Sequence, residues 1–311
     1  MKKCTLLASA LLCFMLSAFS QSNESDILYP YKKTKMEDKS YQITFDNSSI
    51  PLYTTSKVVM KIVDEAIKKE SPIEVIYNES NLAIVSVKEK EIDQKEKFLE
   101  KFDTLMFVNF EYKDSKNFKS NENKFMEQFD FLPQLNDPKI PLDSVKVIFD
   151  FFVKNSCETL HTCSTEKPCI TYDYKTNGCN ARAHWMKKIL EEKFGYSCRK
   201  IFSEGSLIAQ NGGTCGGQCV SWGWHVAPLV EGVDKNGAVT ELILDPSLFN
   251  KPVLREEWEN AQKTKCAATG RIGRITKVTV RPSQIYTPNG STDVNYANTY
   301  HLLYKFCKKC H

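Results

Sequence analysis

Cysteine is absent from residues 14 to 156, although the chain of 311 residues contains 12 of them. Two lie close to the N-terminus, and the other ten lie between Cys157 and Cys310. Disulfides persist in oxidising compartments, so this number is typical of an exported protein. The distribution divides the chain into a thiol-free half, which no disulfide can hold together, and a thiol-rich half.

Long hydrophobic runs are also scarce. The only candidate, TLLASALLCFML at residues 5–16, is too short to span a membrane well. It follows the basic residues of MKK and precedes Ala18-Phe19-Ser20, which places small residues at the −3 and −1 positions of a cleavage site. A lipoprotein site at Cys13 is disfavoured because Leu12 is too large for the preceding position. We therefore expect a signal peptide over residues 1–20 and a secreted or periplasmic protein without a membrane anchor.

Repeats, low-complexity tracts and a stripe of basic residues are missing as well, which argues against a repeat array and against a nucleic-acid partner. Hydrophobic residues make up 41% of the chain and charged residues 26%, as in soluble globular proteins. Residues 21–134 have a net charge of −4 and residues 135–311 a net charge of +6. The two halves could dock, but charge alone favours two unrelated solvated surfaces.

Residues 21–134 are predicted to form a small α+β domain. Residues 21–50 are polar and weakly patterned, whereas SKVVMKIVDEAIKKE has helical periodicity with Ser56 as N-cap. IEVIYN and LAIVSVKE are typical of two strands, and three prolines over residues 131–141 indicate a linker. The C-terminal domain is then residues 135–311.

In that domain, DSVKVIFDFFVKNS predicts a helix capped by Asp143 or Ser144, and CITYDY predicts a strand. Asn177-Gly178 indicates a turn that opens a helix ending at Gly195. RKIFSEG, VSWGWHVAPLVEGV, VTELIL and ITKVTV are typical of strands.

Cys179 falls in the first turn of the helix before Gly195. Unpaired N–H groups and the helix dipole stabilise a thiolate there, and the same N–H groups could hold an oxyanion. A chain reversal around residues 235–236 would place His225 within about one residue of Asp245 across a hairpin. The three residues could therefore form a Cys-His-Asp arrangement.

Each member also has an ordinary explanation: Cys179 could be half of a disulfide, His225 a core histidine and Asp245 a cap at the end of a strand. The sequence alone leaves the two interpretations evenly balanced. A nucleophilic Cys179 would leave nine other cysteines in the thiol-rich half, so one more would be unbridged or paired between molecules. His184 is interpreted as packing or surface, Arg182 as a solvated arginine, and CKKCH at 307–311 as a disulfide staple rather than a haem or zinc site.

Several motifs, in order, resemble the bacterial secreted protein-glutaminases (protein deamidases). They are AIKKESPI at 66–73, KNSC at 154–157, KPCIT at 167–171, GCNARAH at 178–184, WHV at 224–226 and DPSLF at 245–249. The resemblance runs from about residue 57 to about residue 260.

This resemblance implies a transglutaminase-like fold of the papain-like superfamily, in which a nucleophile-bearing helix packs on an antiparallel sheet. It assigns the nucleophile to Cys179, the base to His225 and the orienting carboxylate to Asp245. The implied reaction is hydrolysis of glutamine side chains in proteins or peptides, with no cofactor and no metal. Residues 21–134 would be an inhibitory propeptide that an activating protease removes from a monomeric enzyme.

The chain departs from the family pattern in the stretch QITFDNSSIPLY, where Asn47 is only a weak candidate for the residue that blocks the nucleophile. The loop between Cys215 and Cys219 is stretched, and the C-terminal cysteines differ. Trp222 and Trp224 are candidates for the wall of a substrate cleft, or for core packing. A transglutaminase, a cysteine peptidase, a deamidase of one host protein and a disulfide-stapled binding module remain alternatives.

Overall fold

The computed structural model describes residues 23–79, 81–90, 139–164, 168–210 and 219–310. The predicted signal peptide, most of the linker and Cys215 lie outside these residues. No helix within the described ranges is long and apolar enough to cross a membrane. We call residues 23–90 the N-terminal part and residues 139–310 the C-terminal part.

The N-terminal part contains two three-stranded antiparallel sheets and one helix. One sheet has the order β1-β5-β6 and the other β2-β3-β4. Their apolar sides enclose a core of their own, which includes Ile43, Val63 and Ile73. The elements are β1 (Asn23–Leu28), β2 (Pro30–Lys35), β3 (Tyr41–Phe45), β4 (Ser48–Thr54), α1 (Lys57–Lys69), β5 (Ile73–Asn78) and β6 (Ile84–Glu89).

The prediction for α1 is confirmed, because Ser56 caps it by accepting a hydrogen bond from the N–H of Val59 at 3.3 Å. The strands predicted after it are β5 and β6, which pair antiparallel. The weakly patterned residues before α1, in contrast, contain four strands that the sequence analysis missed. In β4 all seven residues are buried, including its serines.

The C-terminal part is a mixed α/β unit built on a five-stranded sheet. Its path is β10-β9-β8-β11, and β7 pairs with β9 in parallel. The elements are β7 (Ile140–Pro141), α2 (Leu142–Lys154), α3 (Cys157–Leu160), α4 (Cys179–Ile189), a π-helical turn (Leu190–Phe194), β8 (Arg199–Gln210), β9 (Cys219–Val233), β10 (Val239–Ile243), α5 (Arg255–Ala261), β11 (Arg274–Pro282) and α6 (Ala297–Cys310).

Three local predictions in this part are wrong. Helix α2 begins after Pro141 without a side-chain cap, so neither Asp143 nor Ser144 caps it. The run CITYDY forms only one isolated bridge, between Ser156 and Ile170, and does not join the sheet; the carbonyl of Tyr174 at its end accepts instead from Arg182 of α4. The supposed end of the linker, Ile140–Pro141, is strand β7.

The hairpin of β9 and β10 forms as predicted, but its register differs by one to two residues. Val239 pairs with Val233, and Ile243 pairs with Leu229. The strand pairing ends at Ile243, and Leu244 makes one more backbone hydrogen bond to β9, to Pro228 at 3.0 Å, before a turn begins at Asp245. His225 is therefore not cross-strand paired with Asp245; the two meet diagonally beyond the end of β10.

Disulfides connect Cys157 with Cys169, Cys163 with Cys307, and Cys219 with Cys266. Cys310 is disulfide-bonded as well. Cys307 thus bridges to a distant loop and not to its neighbour in CKKCH, and it fixes α6 to the loop after α3. Cys179 and Cys198 are buried thiols outside these bridges, which fits the expectation of a second unbridged cysteine.

Candidate active site

Cys179 is the first residue of α4 and is almost completely buried. The residue before it, Gly178, has φ of 79°, in the left-handed region that glycine adopts without strain. A Cβ atom at Gly178 would lie 2.6 Å from the Phe306 ring of α6. Backbone conformation and space both require glycine here, and they place the sulfur at the open N–H end of the helix.

Arg182 fixes the same helix end, and its interpretation as a solvated arginine is wrong. The side chain is buried, and its Nη1 donates hydrogen bonds to the carbonyls of Tyr174 and Asn177, both at 2.8 Å. These carbonyls belong to the segment that crosses the start of α4. The guanidinium therefore holds that segment in place and adds positive charge near Cys179.

His225 on β9 and Asp245 after β10 form a buried hydrogen-bonded pair, with 2.8 Å between Nε2 and Oδ2. Trp258 of α5 also donates its indole N–H to Oδ2, at 2.9 Å, and Ser247 donates its hydroxyl to Oδ1. A buried carboxylate is costly unless it is hydrogen-bonded, and three donors satisfy this one. Asp245 is therefore fixed as an acceptor for the imidazole.

Because Nε2 binds the carboxylate, Nδ1 is the ring nitrogen left for the thiol. Nδ1 is buried, and no atom of the described ranges meets strict hydrogen-bond geometry with it. The thiol and the ring are nevertheless near enough for each to shift the pKa of the other. The structure thus brings Cys179, His225 and Asp245 together, as the sequence analysis expected.

The pKa values of these groups favour charge separation. Burial alone lowers the pKa of His225, but the Asp245 carboxylate raises it to about 9. Burial alone raises the pKa of Cys179, yet the adjacent His225 ring and its positive charge, together with the charge of Arg182, bring it below the ordinary value. Burial also raises the pKa of Asp245, but His225 and the other donors lower it to about 2. The shifts of Cys179 and His225 both favour a thiolate beside an imidazolium.

Aromatic rings enclose the imidazole. The Trp222 ring stacks on it with 4.4 Å between centroids, and the Trp258 ring lies at 5.7 Å. Trp222 donates its N–H to the carbonyl of Lys175 and is fully buried. Packing against the imidazole therefore explains the position of Trp222 as well as a place in the wall of a substrate cleft does.

Trp224 faces the N-terminal part. Its indole N–H donates to the carbonyls of Phe45 and Ser48, at 2.9 and 3.1 Å. Between the two tryptophans, Gly223 leaves no room for a side chain, because its Cβ would lie 2.5 Å from Cγ2 of Thr44. The hairpin of β3 and β4 therefore lies directly on this face of β9.

Ser49 of β4 is the residue of the N-terminal part that reaches Cys179. Its hydroxyl, which donates to Oδ1 of Asn177, is near enough to the thiol to contribute to lowering the pKa of that group. Asn47, the weak candidate from sequence, is instead used within the N-terminal part, where its side chain accepts from the N–H of Tyr29 and donates to the carbonyl of Ile27 between β1 and β2. The contact to the sulfur thus lies two residues further along the chain.

A second buried polar cluster lies along α4. Nζ of Lys200 is 2.7 Å from Nδ1 of His184 and 2.8 Å from the carbonyl of Ile285. Nε2 of His184 lies 3.1 Å from the carbonyl of Asp293. Burial lowers the pKa of Lys200 to about 7 and that of His184 to about 3. His184 is therefore a packing residue, as expected, and it connects α4 to β8 and to the loop before α6.

Sequence reasoning missed Ser49, Asn177, Arg182, Ser247 and Trp258. Ser247 and Trp258 had a weak signal, because both follow Asp245 closely and can fold back on it. The other three depend on how segments cross, which no local pattern encodes. The sulfur atoms of Cys157, Cys169 and Cys307 lie close to one another. All three are in disulfides, so they do not offer thiolate ligands to a metal.

Comparison with known proteins gives one family and several solved structures. A family model described as glutaminase matches residues 145–262, which include all three candidate site residues. A crystal structure of pro-protein-glutaminase is 25% identical, covers 92% of this chain and 93% of its own, and superposes with a TM-score of 0.66. No curated protein sequence matches the chain.

Two structures of shorter proteins match the chain over about half its length. A crystal structure of protein-glutaminase is 35% identical over 55% of this chain and 90% of its own, with a TM-score of 0.48. The NMR structure of protein-glutaminase from Chryseobacterium proteolyticum is 36% identical over 54% and 88%, with a TM-score of 0.45.

Proposed function

Because this chain belongs to the protein-glutaminase family and deamidates glutamine side chains in proteins, we propose that Cys179, His225 and Asp245 are the residues that carry out the reaction. The observation that carries the proposal is the buried pair of His225 and Asp245 beside a thiol at the start of α4. Cys179 would be the nucleophile, His225 the base and Asp245 the orienting carboxylate, which is the arrangement that cysteine catalysis requires.

In the first half of the reaction, the Cys179 thiolate attacks the carboxamide carbon of glutamine. The developing oxyanion is stabilised by backbone N–H groups at the N-terminus of α4. The imidazolium of His225 then gives its proton to the leaving nitrogen, so that ammonia departs and a thioester remains. Asp245 keeps the ring oriented and stabilises its positive charge.

In the second half, a water molecule attacks the thioester carbon while His225 takes its proton. The carbon–sulfur bond breaks, and the thiolate leaves with its electron pair. The products are glutamate within the substrate and the original thiolate–imidazolium pair. Deamidation consumes one water and releases one ammonia, and it needs no cofactor and no metal.

We assign the C-terminal part to the transglutaminase-like architecture of the papain-like superfamily, since a helix with the nucleophile packs on an antiparallel sheet with the base. Residues 135–311 would be the catalytic domain. Trp222 would support the imidazole beside the substrate cleft, and Trp224 would form part of its wall.

Residues 21–134 would be the propeptide of a zymogen, and three contacts support this. Ser49 contacts the nucleophile, Trp224 bonds the backbone of β4, and Gln42 donates to the carbonyl of Gly205 at 3.0 Å. An activating protease would remove this cover from an exported, monomeric enzyme. Its substrates would be proteins or peptides with exposed glutamine, without nucleic-acid or membrane partners, in a secreted or periplasmic location.

The test is ammonia release from a glutamine-containing peptide by the protein trimmed near residue 134, with mass spectrometry of the product. We expect a gain of about 1 Da per glutamine, with no amine incorporated and no backbone cut. Cys179→Ala is expected to abolish release, and Cys198→Ala is the matched control for a buried thiol away from the triad. An unchanged rate in Cys179→Ala would reject the mechanism.

The rival activities make different products from the same peptide. A transglutaminase would incorporate an added primary amine, and a peptidase would cut the backbone. A binding module would show none of these reactions, and thiol titration of the trimmed protein would find Cys179 unreactive. A deamidase of one host protein would act on that protein and not on a varied set of peptides.

A further inference from the structure

Helix α6 presents two partly buried lysines to the N-terminal part. Nζ of Lys309 lies 3.4 Å from a carboxylate oxygen of Glu24 and 3.1 Å from one of Glu79. Nζ of Lys305 lies 3.5 Å from a carboxylate oxygen of Asp26. Three carboxylates of the N-terminal part are thus placed on two cations of the C-terminal part, and the catalytic steps above use none of these groups.

The three carboxylates form one surface of the N-terminal part. Glu24 and Asp26 are two residues apart on β1, so their side chains project to the same side of the strand. Tyr77 of β5 pairs with Glu24 and donates its hydroxyl to Asp26 at 3.0 Å. Glu79 follows the end of β5. Lysines near a helix C-terminus complement the helix dipole, but that effect does not explain why another part of the chain brings three carboxylates to them.

The two lysines lie beside the turn that precedes the nucleophile. Phe306 is between them in sequence, and a Cβ atom at Gly178 would lie 2.6 Å from its ring. Phe306 also stacks on Tyr174 with 4.5 Å between ring centroids, and Nζ of Lys309 lies 5.8 Å from the centroid of the Tyr174 ring. These aromatic contacts belong to the C-terminal part, so they would keep Lys309 in place when the N-terminal part leaves.

The charges of the two parts are consistent with docking of an acidic surface here. Residues 21–134 have a net charge of −4 and residues 135–311 a net charge of +6. Release of the N-terminal part takes its carboxylates away from Lys305 and Lys309. A protein that presents carboxylates at the same positions would restore the ion pairs, and the field of the basic domain would steer it toward the site.

We propose that Lys305 and Lys309 form a docking site for acidic side chains of the substrate protein, separate from the position of the reacting glutamine. The docking site increases the affinity for glutamines that lie within an acidic stretch, and it contacts no atom of the reacting amide. This inference rests on the proposed function and deepens it, because it names acidic proteins as the preferred substrates.

The test compares two peptides on enzyme that has folded as the full-length chain, has been cut in the linker and has been separated from the N-terminal part at high salt. Both peptides carry one central glutamine flanked by glycines. The acidic peptide has a block of aspartates at each end, and the neutral peptide has serines in their place. Ammonia release gives kcat/KM for each peptide, and the ratio of the two values cancels any effect of a variant on the chemical steps.

An exposed ion pair changes an equilibrium by about 1.4- to 5-fold, so three pairs should favour the acidic peptide by about tenfold at about 0.1 M salt, mainly through KM. The preference should nearly disappear at about 1 M salt, where the Debye length is about 3 Å. In the double variant Lys305→Glu and Lys309→Glu, the ratio should fall to about one or below.

The matched control is the double variant Lys146→Glu and Lys235→Glu. It changes the net charge by the same amount, but on exposed residues of α2 and of the turn after β9. Its ratio should stay above about fivefold, because the lysines of α6 are intact. Equal ratios in the two double variants would assign the preference to the net charge of the enzyme and would overturn the docking site.

Two results on the wild-type protein would overturn the inference as well, whether or not the α6 variant folds. One is a ratio near one, and the other is a preference for the acidic peptide that high salt leaves unchanged. Failure of the wild type to release ammonia from either peptide is a separate result. That outcome would remove the proposed function itself.

Discussion

The imidazole of His225 is the most constrained group of the site, since a carboxylate, two stacked indoles and a thiol surround it. The raised pKa of His225 and the lowered pKa of Cys179 define the pH range over which the imidazolium and the thiolate coexist. Activity should therefore persist on the alkaline side up to about pH 9 and fall as the imidazolium loses its proton.

Asp245→Asn tests this electrostatic argument. Without the carboxylate, the pKa of His225 should fall toward the ordinary value of about 6.5, and the alkaline limb should move down with it. We expect kcat/KM to fall by roughly 100- to 10,000-fold, the range typical of a disabled acid–base group. The measurement is the pH profile of ammonia release, and an alkaline limb that stays in place would contradict the assignment.

Trp258 would act on the proposed triad through Asp245, because its indole nitrogen lies 2.9 Å from Oδ2. Trp258→Phe keeps an aromatic ring beside the imidazole but removes the donor. A hydrogen bond to a charged group contributes about 1.5–3 kcal/mol, so kcat should fall by at least tenfold with little change in KM. Trp222→Phe is the comparison, because that indole donates to Lys175 and not to the carboxylate. Similar kcat losses in both variants would argue against a specific role of the Trp258 N–H.

At the scale of elements, α4 is held to β8 by the buried contact of Lys200 with His184. The pKa of Lys200 is about 7 in the folded protein, against about 10.5 in the unfolded chain. Between these values the unfolded state binds a proton that the folded state does not. Stability should therefore rise with pH from about 7 toward 10, by up to about 1.4 kcal/mol per pH unit from this group.

Lys200→Met removes this titration. Its free energy of unfolding, measured with denaturant at several pH values, should lack the increase that the wild type gains from this lysine. Lys235→Met, in the exposed turn after β9, is the control and should keep the wild-type slope. A slope that is the same in all three proteins would mean that Lys200 stays charged in the fold.

The elements that the sequence predicted well are those that bury a face within their own part. Helix α1 and strand β5 have the periodicity that such burial requires. Strand β4 does not, because its serines are buried against the C-terminal part and not within its own sheets. The burial of the β4 serines is explained only by the surface of the C-terminal part that covers them.

The same distinction applies to the site. Cys179, His225 and Asp245 were accessible from sequence because a helix start and a hairpin bring them near one another. The contacts of Ser49, Asn177 and Arg182 were not, because they join segments whose crossing depends on the whole fold. A polar residue next to a glycine turn, such as Asn177, gives no local sign of which distant backbone group its side chain will hydrogen-bond.

For the whole molecule, opposite charges of the two parts do meet, although charge alone favoured independent surfaces. Lys309 of α6 lies 3.4 Å from Glu24 and 3.1 Å from Glu79, and Lys305 lies 3.5 Å from Asp26. On another side, Arg271 lies 3.6 Å from Asp38. Exposed pairs of this kind contribute about 0.2–1 kcal/mol each and are screened by salt.

Lys309→Glu should therefore weaken retention of the N-terminal part after the linker is cut. Because this lysine has two carboxylate partners, we expect the dissociation constant to rise by roughly 2- to 30-fold at low salt, and the difference to shrink at high salt. Lys146→Glu is the control, since its partner Asp150 lies on the same helix. Inhibition of the trimmed enzyme by the separated N-terminal part measures the constant. Equal constants for the two variants would assign the docking to the apolar and backbone contacts alone.

The lack of cysteine over residues 14–156 has a consequence for how activity would begin. After a single cut in the connecting backbone, no covalent bond joins the two parts, and the cover of the site becomes a ligand that obeys mass action. Its occupancy then depends on concentration. Dilution into the surroundings would dissociate the two parts gradually and release the enzyme, whereas a high concentration near the producing cell would keep the enzyme inhibited.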